Sequence, residues 1–388
     1  MARRGVTVQL NLPLSGARRA GGAGRAGGAG GAGRIDRERL GELARWYGLP
    51  SGYLPASFSL EEHPAVSGPR WLAQAAFDVK IPPRLARQEP DIVWTRNVAA
   101  ALWCTRAGLP TVFETYRPDI ATGWRFSPWR RAVLGSRHLL GVIHHSAIAD
   151  EAFARAGVPG ARRLIARNGY APIWMEPRLD RRAAREILNL PLDRPLVVYA
   201  GDVHPRKGIT TLLRVATKVP DALILIVGAD DEVSRQQLQA LADAGAARNV
   251  LVKSRVPVGE IAPYLYAADC LVIPPPVEPI ERSRTVLPLK VFLYLAAGRA
   301  ILAPRRPDLE EVLVHDLTAR LVPPGDPGDP GDPGDDDAWA EALRAILDDE
   351  RLKERLGKSA LVASGRYTWA ARAQQIVQFL GTLSSASA

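Results

Sequence analysis

Residues 199–216 read YAGDVHPRKGITTLLRVA. The run before and into them, PLVVYAG (195–201), is short, continuous and apolar, as expected of a strand buried on both faces. The strand ends at Ala200. Gly201 opens a loop that carries Arg206 and Lys207, and Gly208 leads into a segment of helical period. A strand, a short cationic loop and a helix start are one half of a βαβ unit. The free N–H groups and dipole of the helix start add to the two side chains, so the loop is a candidate anion site.

The same alternation extends in both directions. Downstream, ALILIVG (222–228), NVLVKS (249–254), DCLVIPP (269–275) and RAILAP (299–304) read as strands. Helices are predicted between them at about 207–218, 231–245, 259–268 and 287–297. Upstream, DIVWT (91–95), PTVFET (110–115) and LLGVIHH (139–145) are short apolar strands. Each precedes a helical stretch: NVAAALWCTRAG, SPWRRAVLGSRH and SAIADEAFARAG. Continuous apolar strands alternating with helices imply parallel sheets and an α/β fold. The pattern pauses at RNGYAPIWMEPRLD (167–180), so two α/β halves meet near residue 170. VTVQLNL (6–12) reads as an opening strand. SGARRAGGAGRAGGAGGAGR (15–34) is Gly, Ala and Arg only after its first residue and is expected to be a flexible loop. GDPGDPGDPGDDD (325–337) repeats Gly-Asp-Pro as a loop, and YTWAARAQQIVQFL (367–380) reads as an amphipathic helix.

Composition sets the outer bounds. A chain of 388 residues exceeds one ordinary core, which agrees with two domains. The two cysteines, Cys104 and Cys270, are too few for a disulfide framework and fit a reducing compartment. MARRGVTVQLNLPL lacks the apolar core of a signal peptide, and no apolar run reaches about 18 residues, so no membrane span is predicted. The net charge of +10, from 51 basic and 41 acidic residues, favours anionic partners such as phosphates, nucleic acid or an acidic membrane surface. No zinc-finger spacing or aromatic-basic interleaving points to nucleic acid. His144 and His145 end a strand, and two histidines alone do not make a metal site.

TVLPLKVFLYLAAGRAILAP (285–304) holds one lysine, Lys290, at the start of an otherwise apolar helix. A buried ammonium is costly unless an anion meets it. The alternative is a lysine that reaches to water. If Lys290 points to the edge where the 199–216 loop lies, Arg206, Lys207 and Lys290 converge from two strand ends and can hold a diphosphate.

From about Leu196 to Leu380 the chain resembles the GT4 family (glycosyltransferase group 1) of retaining glycosyltransferases with the GT-B fold. The segments GDVHPRKGITTLL, LILIVGADDE, VLVKSRVPVGEIAPYLYAADCLVIPP, LPLKVFLYLAAGRAILAP and LEEVLVHDLTARLVPPGDP follow the family in order. HHSAIADEAFARAGVP and LIARNGY, within 144–170, are similar to the end of the family's acceptor domain. The resemblance implies two Rossmann-like doubly wound domains facing a cleft. Residues 1–172 would bind the acceptor, 173–366 the nucleotide-diphosphate sugar, and the helix in 367–388 would cross back to the first domain.

On that resemblance the enzyme moves a sugar from a nucleotide-diphosphate sugar to a glycan, lipid-linked or small-molecule acceptor, with retention and with no metal or other cofactor. Lys207, Lys290 and Arg206 would steady the departing phosphates. Gly201, the backbone of Arg255 and Val256, and Thr285, Val286 and Leu287 would line the donor site. Many members place two glutamates where this chain has Thr285 and Leu293, so Glu278 or Glu281 is expected to take the ribose. Tyr116 stands where a histidine is common, and Glu114 and Asp119 are the nearest acidic candidates in the first domain. A non-catalytic sugar-nucleotide binder or an epimerase on the same fold is the alternative. The protein is expected in the cytoplasm, with its arginines on the inner face of a membrane. Trp124, Phe126 and Trp129 beside Arg125, Arg130 and Arg131 either make a lipid contact or pack inside the first domain, two readings of equal weight.

Overall fold

The computed structural model describes residues 8–13, 33–34, 58–63, 70–204, 207–245, 247–275, 287–323 and 336–385. The chain forms two compact units. One comprises residues 1–167 with 372–388, the other residues 168–371.

The second unit is built on six strands: β8 (Leu196–Ala200), β9 (Leu223–Ala229), β10 (Val250–Ser254), β11 (Cys270–Val272), β12 (Ala300–Pro304) and β13 (Arg320–Val322). They lie in the order β10-β9-β8-β11-β12-β13, and every pairing is parallel. The order therefore reverses between β8 and β11, where the carboxyl ends of neighbouring strands splay apart and ligands bind in such sheets. Val197, Tyr199, Ile224, Ile226, Val252, Leu302 and Trp339 share one buried cluster. An ion pair inside this unit ties its helices to the sheet. Arg185, on the helix Arg181–Leu188, is 4% exposed and donates to Asp269 (2.6 Å), which lies just before β11. Asp269 also accepts from Arg181 and from the Leu196 N–H (2.7 Å) at the start of β8. The remaining Arg185 donors reach the Ala267, Pro191, Leu192 and Arg194 carbonyls, so the buried charge is fully met.

The first unit holds a parallel sheet of β4 (Val93–Thr95), β5 (Thr111–Thr115), β6 (Leu139–His144) and β7 (Arg163–Ile165). The helix Val98–Arg106 starts where Asn97 accepts from the Ala99 and Ala100 N–H groups (2.8 and 3.1 Å). Phe113, Val133, Val142 and Phe153 form one core. Val112 and Ile143 alternate with them and pack against Ile376, Phe379 and Leu383 of the last helix, Trp369–Ser385. Gly141 permits that approach, because a Cβ there would lie 2.9 Å from both the Phe379 ring and Leu383. A second sheet pairs β1 (Val8–Pro13) with β3 (Phe58–His63) in parallel and β2 (Gly33–Arg34) with β3 antiparallel.

Several expectations need correction. The predicted 15–34 loop ends in a strand at Gly33–Arg34; the rest of it lies outside the described residues. Residues Asp336 and Asp337, placed in the Gly-Asp-Pro loop, open the helix Asp336–Asp348, where acidic side chains suit the helix dipole and bind Arg214 and Lys218. Strands β7 and β13 escaped notice because three residues carry too little period to register. Trp129 does not meet solvent. It is 7% exposed, its indole N–H donates to Val98 O (2.7 Å), and its ring sits 5.1 Å from Phe113.

Removing one partner of a buried ion pair leaves the other charge uncompensated. Asp269→Ala should therefore destabilise the protein by about 3–5 kcal/mol, measured by urea denaturation. A loss under about 1 kcal/mol would mean that Arg185 is satisfied by backbone carbonyls alone.

Candidate functional site

The chain leaves β8 through a constriction. Gly201 has φ +145° and donates to Val227 O (2.9 Å). Gly228, at the matching end of β9, has φ +141°, and a Cβ on it would lie 2.0 Å from Gly201 O. Only glycine tolerates both the dihedral and the approach. The Tyr199 hydroxyl donates to Asp202 O (2.7 Å), and the Ala200 N–H donates to the Tyr294 hydroxyl (2.7 Å). The loop returns at Gly208, with φ +75°, which caps the helix Ile209–Lys218 without any side-chain hydrogen bond. A Cβ on Gly208 would lie 2.1 Å from Pro275 O, so the loops that follow β8 and β11 touch here.

Lys290 opens the helix Lys290–Ala297 and completes the site. Its Nζ stands 3.6 Å above the centre of the Tyr199 ring. That cation–π contact is its only described partner, for no carboxylate lies within ion-pair distance among the described residues. A Cβ on Gly201 would fall 2.8 Å from Nζ, so the missing side chain makes room for the ammonium. Burial, then the Lys207 charge, hold the Lys290 pKa well below the usual lysine value, and Asp202 only partly opposes them. The residue as a whole keeps some exposure, so the ammonium is enclosed without being sealed off. Lys207 is likewise half-buried. Two cations thus face one helix start with one another as neighbours, a charge arrangement completed by an anion.

The structure brings Lys207, Lys290 and Gly201 together. Arg206, Glu278, Glu281, Thr285 and Val286 lie outside the described residues. Leu287 has the left-handed φ of +58°, unusual for its residue type. Its N–H donates to Asp308 (2.9 Å), a fully buried carboxylate that Arg306 grips with two bonds (3.1 and 2.9 Å). Leu293 is half-buried in the same helix as Lys290. Arg255 is anchored at the end of β10. Its N–H donates to Ala229 O (2.7 Å), and its guanidinium pairs with Asp230 and Asp202. Val256, next to it, is half-buried. Sequence reading missed Tyr199, Tyr294, Gly228 and Asp308. Tyr199 sits in the quoted stretch, but only the fold sets its ring under a lysine 91 positions away.

The carboxyl edge of the first unit's sheet has a different character. Glu114 is 6% exposed and accepts from His145 Nε2 (2.5 Å) and Arg372 (3.1 Å), with Arg96 at 3.8 Å. Burial alone would raise its pKa, but the His145 hydrogen bond and the Arg372, His145 and Arg96 charges outweigh it and hold the carboxylate below its usual value. Glu114 is thus committed to an ion cluster and is a poor proton acceptor. Asp119 is held by Arg117 (2.5 and 3.0 Å). Tyr116 packs its ring 5.8 Å from His145, with the Arg96 guanidinium 5.2 Å from its centre. His144 is fully buried, neither ring nitrogen has a hydrogen bond, and Asp150 is 3.7 Å away. Among the described residues no cluster of histidine, cysteine or acidic side chains could hold a metal.

Two outcomes follow from this geometry. Gly201→Ala forces a side chain into a left-handed backbone and onto the Lys290 ammonium, and should cost about 1–3 kcal/mol of stability; an unchanged urea midpoint would show that the constriction is slack. His144 is pushed down to about 3 from 6.5, first by burial and then by the Arg163 and His145 charges. The unfolded chain binds a proton through that interval and the folded one does not, so stability falls as pH drops from about 6.5 towards 3. Between pH 6.5 and 4.5, His144→Phe should lose about 2–3 kcal/mol less than the parent loses. Equal losses in the two proteins would disprove the assignment.

Comparison with known proteins places this geometry. Residues 194–349 match the family model described as Glycosyl transferases group 1. A D-inositol 3-phosphate glycosyltransferase of Xylanimonas cellulosilytica is 32% identical over 193 residues, covering 49% of this chain and 42% of that protein. The chain thus spans less than half the length of that relative. Among solved structures, sucrose-phosphate synthase from Thermosynechococcus elongatus shares the fold with a TM-score of 0.67 at 21% identity, over 84% of each chain. Anabaena Alr3699/HepE, solved in complex with UDP, does so with a TM-score of 0.64 at 17% identity, over 83% of this chain and 86% of that one. The matched segment contains Gly201, Lys207 and Lys290, so the candidate site lies wholly in the part of the chain that is similar to the group 1 glycosyltransferases.

Proposed function

We propose that the protein is a glycosyltransferase of the GT4 type that binds a nucleotide-diphosphate sugar at the β8–β11 switch point and transfers the sugar with retention. The observation that carries this reading is the Lys290 ammonium, stacked on Tyr199 at the end of β8, with no carboxylate within ion-pair distance among the described residues and with Lys207 as a like-charged neighbour. A diphosphate supplies the missing negative charge. The capless helix start at Gly208 adds backbone donors to the same anion. Solved relatives of the fold include one described in complex with UDP-glucose, which supports a nucleotide sugar as the ligand class.

In this mechanism the sugar's anomeric carbon becomes cationic while the bond to the nucleoside diphosphate lengthens. Charge then grows on the leaving phosphate. Lys207 and Lys290, fixed in advance, stabilise that growing charge more than the ground state, which is how such donors accelerate a reaction. Neither Glu114 nor Asp119 is free to take the acceptor proton, so the departing phosphate takes it. The ordinary role of Glu278 or Glu281 on the ribose stays part of the proposal. The first unit would hold a glycan, lipid-linked or small-molecule acceptor. Trp124, 83% exposed beside exposed Arg125, is the residue of the aromatic segment open to an anionic membrane surface.

Calorimetry with UDP-glucose and GDP-mannose, followed by anomer analysis of any product, tests this reading. Lys207→Met or Lys290→Met should each weaken binding of the preferred donor by about 10–150-fold, as expected for a lost charge-assisted bond of roughly 1.5–3 kcal/mol. Because the Lys290 pKa is depressed and an anion would raise it, donor binding should take up protons at a pH below the usual lysine pKa. Buffers of different ionisation enthalpy report that uptake, which Lys290→Met should abolish. Parent-like donor affinity in both lysine variants would refute the site.

A further inference from the structure

The second unit has another cavity, of about 380 Å³, on the edge of the sheet opposite Lys290. It is lined by residues that enter the strands rather than leave them: Ala268 and Asp269 before β11, and Gly298, Arg299 and Ala300 at the start of β12. Its volume falls within the usual range for small-molecule sites. Nothing in the donor-site reading uses it.

The lining carries five cations and three carboxylates, an excess of two positive charges. Each carboxylate is already taken. Asp269 is held by Arg181 and by Arg185 (2.6 Å). Glu350 is held by Arg181 (3.1 Å) and Lys353 (2.7 Å), and Glu354 by Lys358 (3.3 Å). Arg178 and Arg299 are the two lining cations that have no carboxylate within ion-pair distance among the described residues.

Both arginines gather around Tyr266. Arg178 lies 5.3 Å from the centre of its ring and donates to Ala296 O (3.2 Å) and Ala297 O (3.1 Å), at the end of the helix that Lys290 begins. Arg299 donates through Nε to Tyr266 O (3.0 Å). Its Nη1 and Nη2 have no hydrogen bond among the described residues, and the side chain borders the cavity. Burial, then the Arg181 and Arg178 charges, push its pKa down to about 10, and Asp269 and Tyr266 only partly oppose them. Guanidinium groups match phosphate oxygens in shape as well as charge.

We propose that this cavity is a second anion site, separate from the donor site, which takes a doubly charged phosphate group between Arg178 and Arg299. Two charges on the ligand match the excess of two on the wall, and the unpaired Nη1 and Nη2 of Arg299 supply the donors that a planar fork offers to phosphate oxygens. Inorganic phosphate and a small phosphate monoester present the same chemistry.

The test uses the full chain with the donor site disabled by Lys207→Met and Lys290→Met, so that phosphate bound there does not intrude. Inorganic phosphate and glycerol 3-phosphate are titrated separately by calorimetry at constant ionic strength set with chloride. One equivalent of at least one probe should bind, and the tighter probe shows whether the site prefers the free ion or the ester. Adding Arg178→Gln and Arg299→Gln should weaken that binding at least tenfold. Arg178→Gln alone alters an exposed side chain, leaves folding intact and should still weaken it at least threefold. Failure of both probes to bind the lysine-disabled chain, or unchanged affinity after Arg178→Gln, would overturn the proposal.

Discussion

The approach of two backbones governs the second unit. Gly201 and Gly228 end adjacent parallel strands, and each adopts a dihedral that a side chain would resist. Their contact is closer than any Cβ allows. Because no side chain fills the space at Gly201, Lys290 can bring its ammonium down beside that residue and onto the Tyr199 ring. The same economy of side chains at Gly208 lets the loop after β8 rest on the chain that leaves β11. Three glycines, Gly201, Gly208 and Gly228, thus decide where the cations stand.

The two units treat charge at their strand ends in opposite ways. In the first, Glu114, His145, Arg372 and Arg96 satisfy one another, and the buried carboxylate is held ionised by its neighbours. Such a cluster is closed chemically and orders the sheet edge and the last helix. In the second, Lys207 and Lys290 repel, and Asp202 only partly offsets that repulsion. A folded chain bears that cost where a ligand removes it. The paired Arg185–Asp269 bridge at the opposite edge of the sheet shows that the same unit does neutralise its charges where the role is structural.

Much of the architecture was legible before any coordinates. Runs such as LVVYA and LILIVG are apolar without interruption, and a strand flanked by helices on both faces leaves no alternative reading. The alternation fixed the α/β class, the meeting of two halves near residue 170 and the cationic loop around Lys207. Short elements were not legible. Arg163–Ile165 and Arg320–Val322 are three residues each, and pairing with a neighbouring strand, rather than any local pattern, makes them strands. The arginines that follow Trp129 left a surface and a core reading equally open, and the fold sets its ring in the core beside Phe113.

The sequence by itself determined the secondary-structure rhythm and which residues carried charge at helix starts, because periodicity and capping are local properties. Only the tertiary structure decided which of those charges would stay unmatched. That outcome depends on distances between residues dozens of positions apart. Lys290 has no carboxylate within ion-pair distance among the described residues because the helix it begins docks against the end of β8, over Tyr199 and beside a glycine. Arg185 has one because its helix docks where Asp269 precedes β11. The electrostatic worth of a charge is set by the partners and solvent around it, and those are fixed by packing alone.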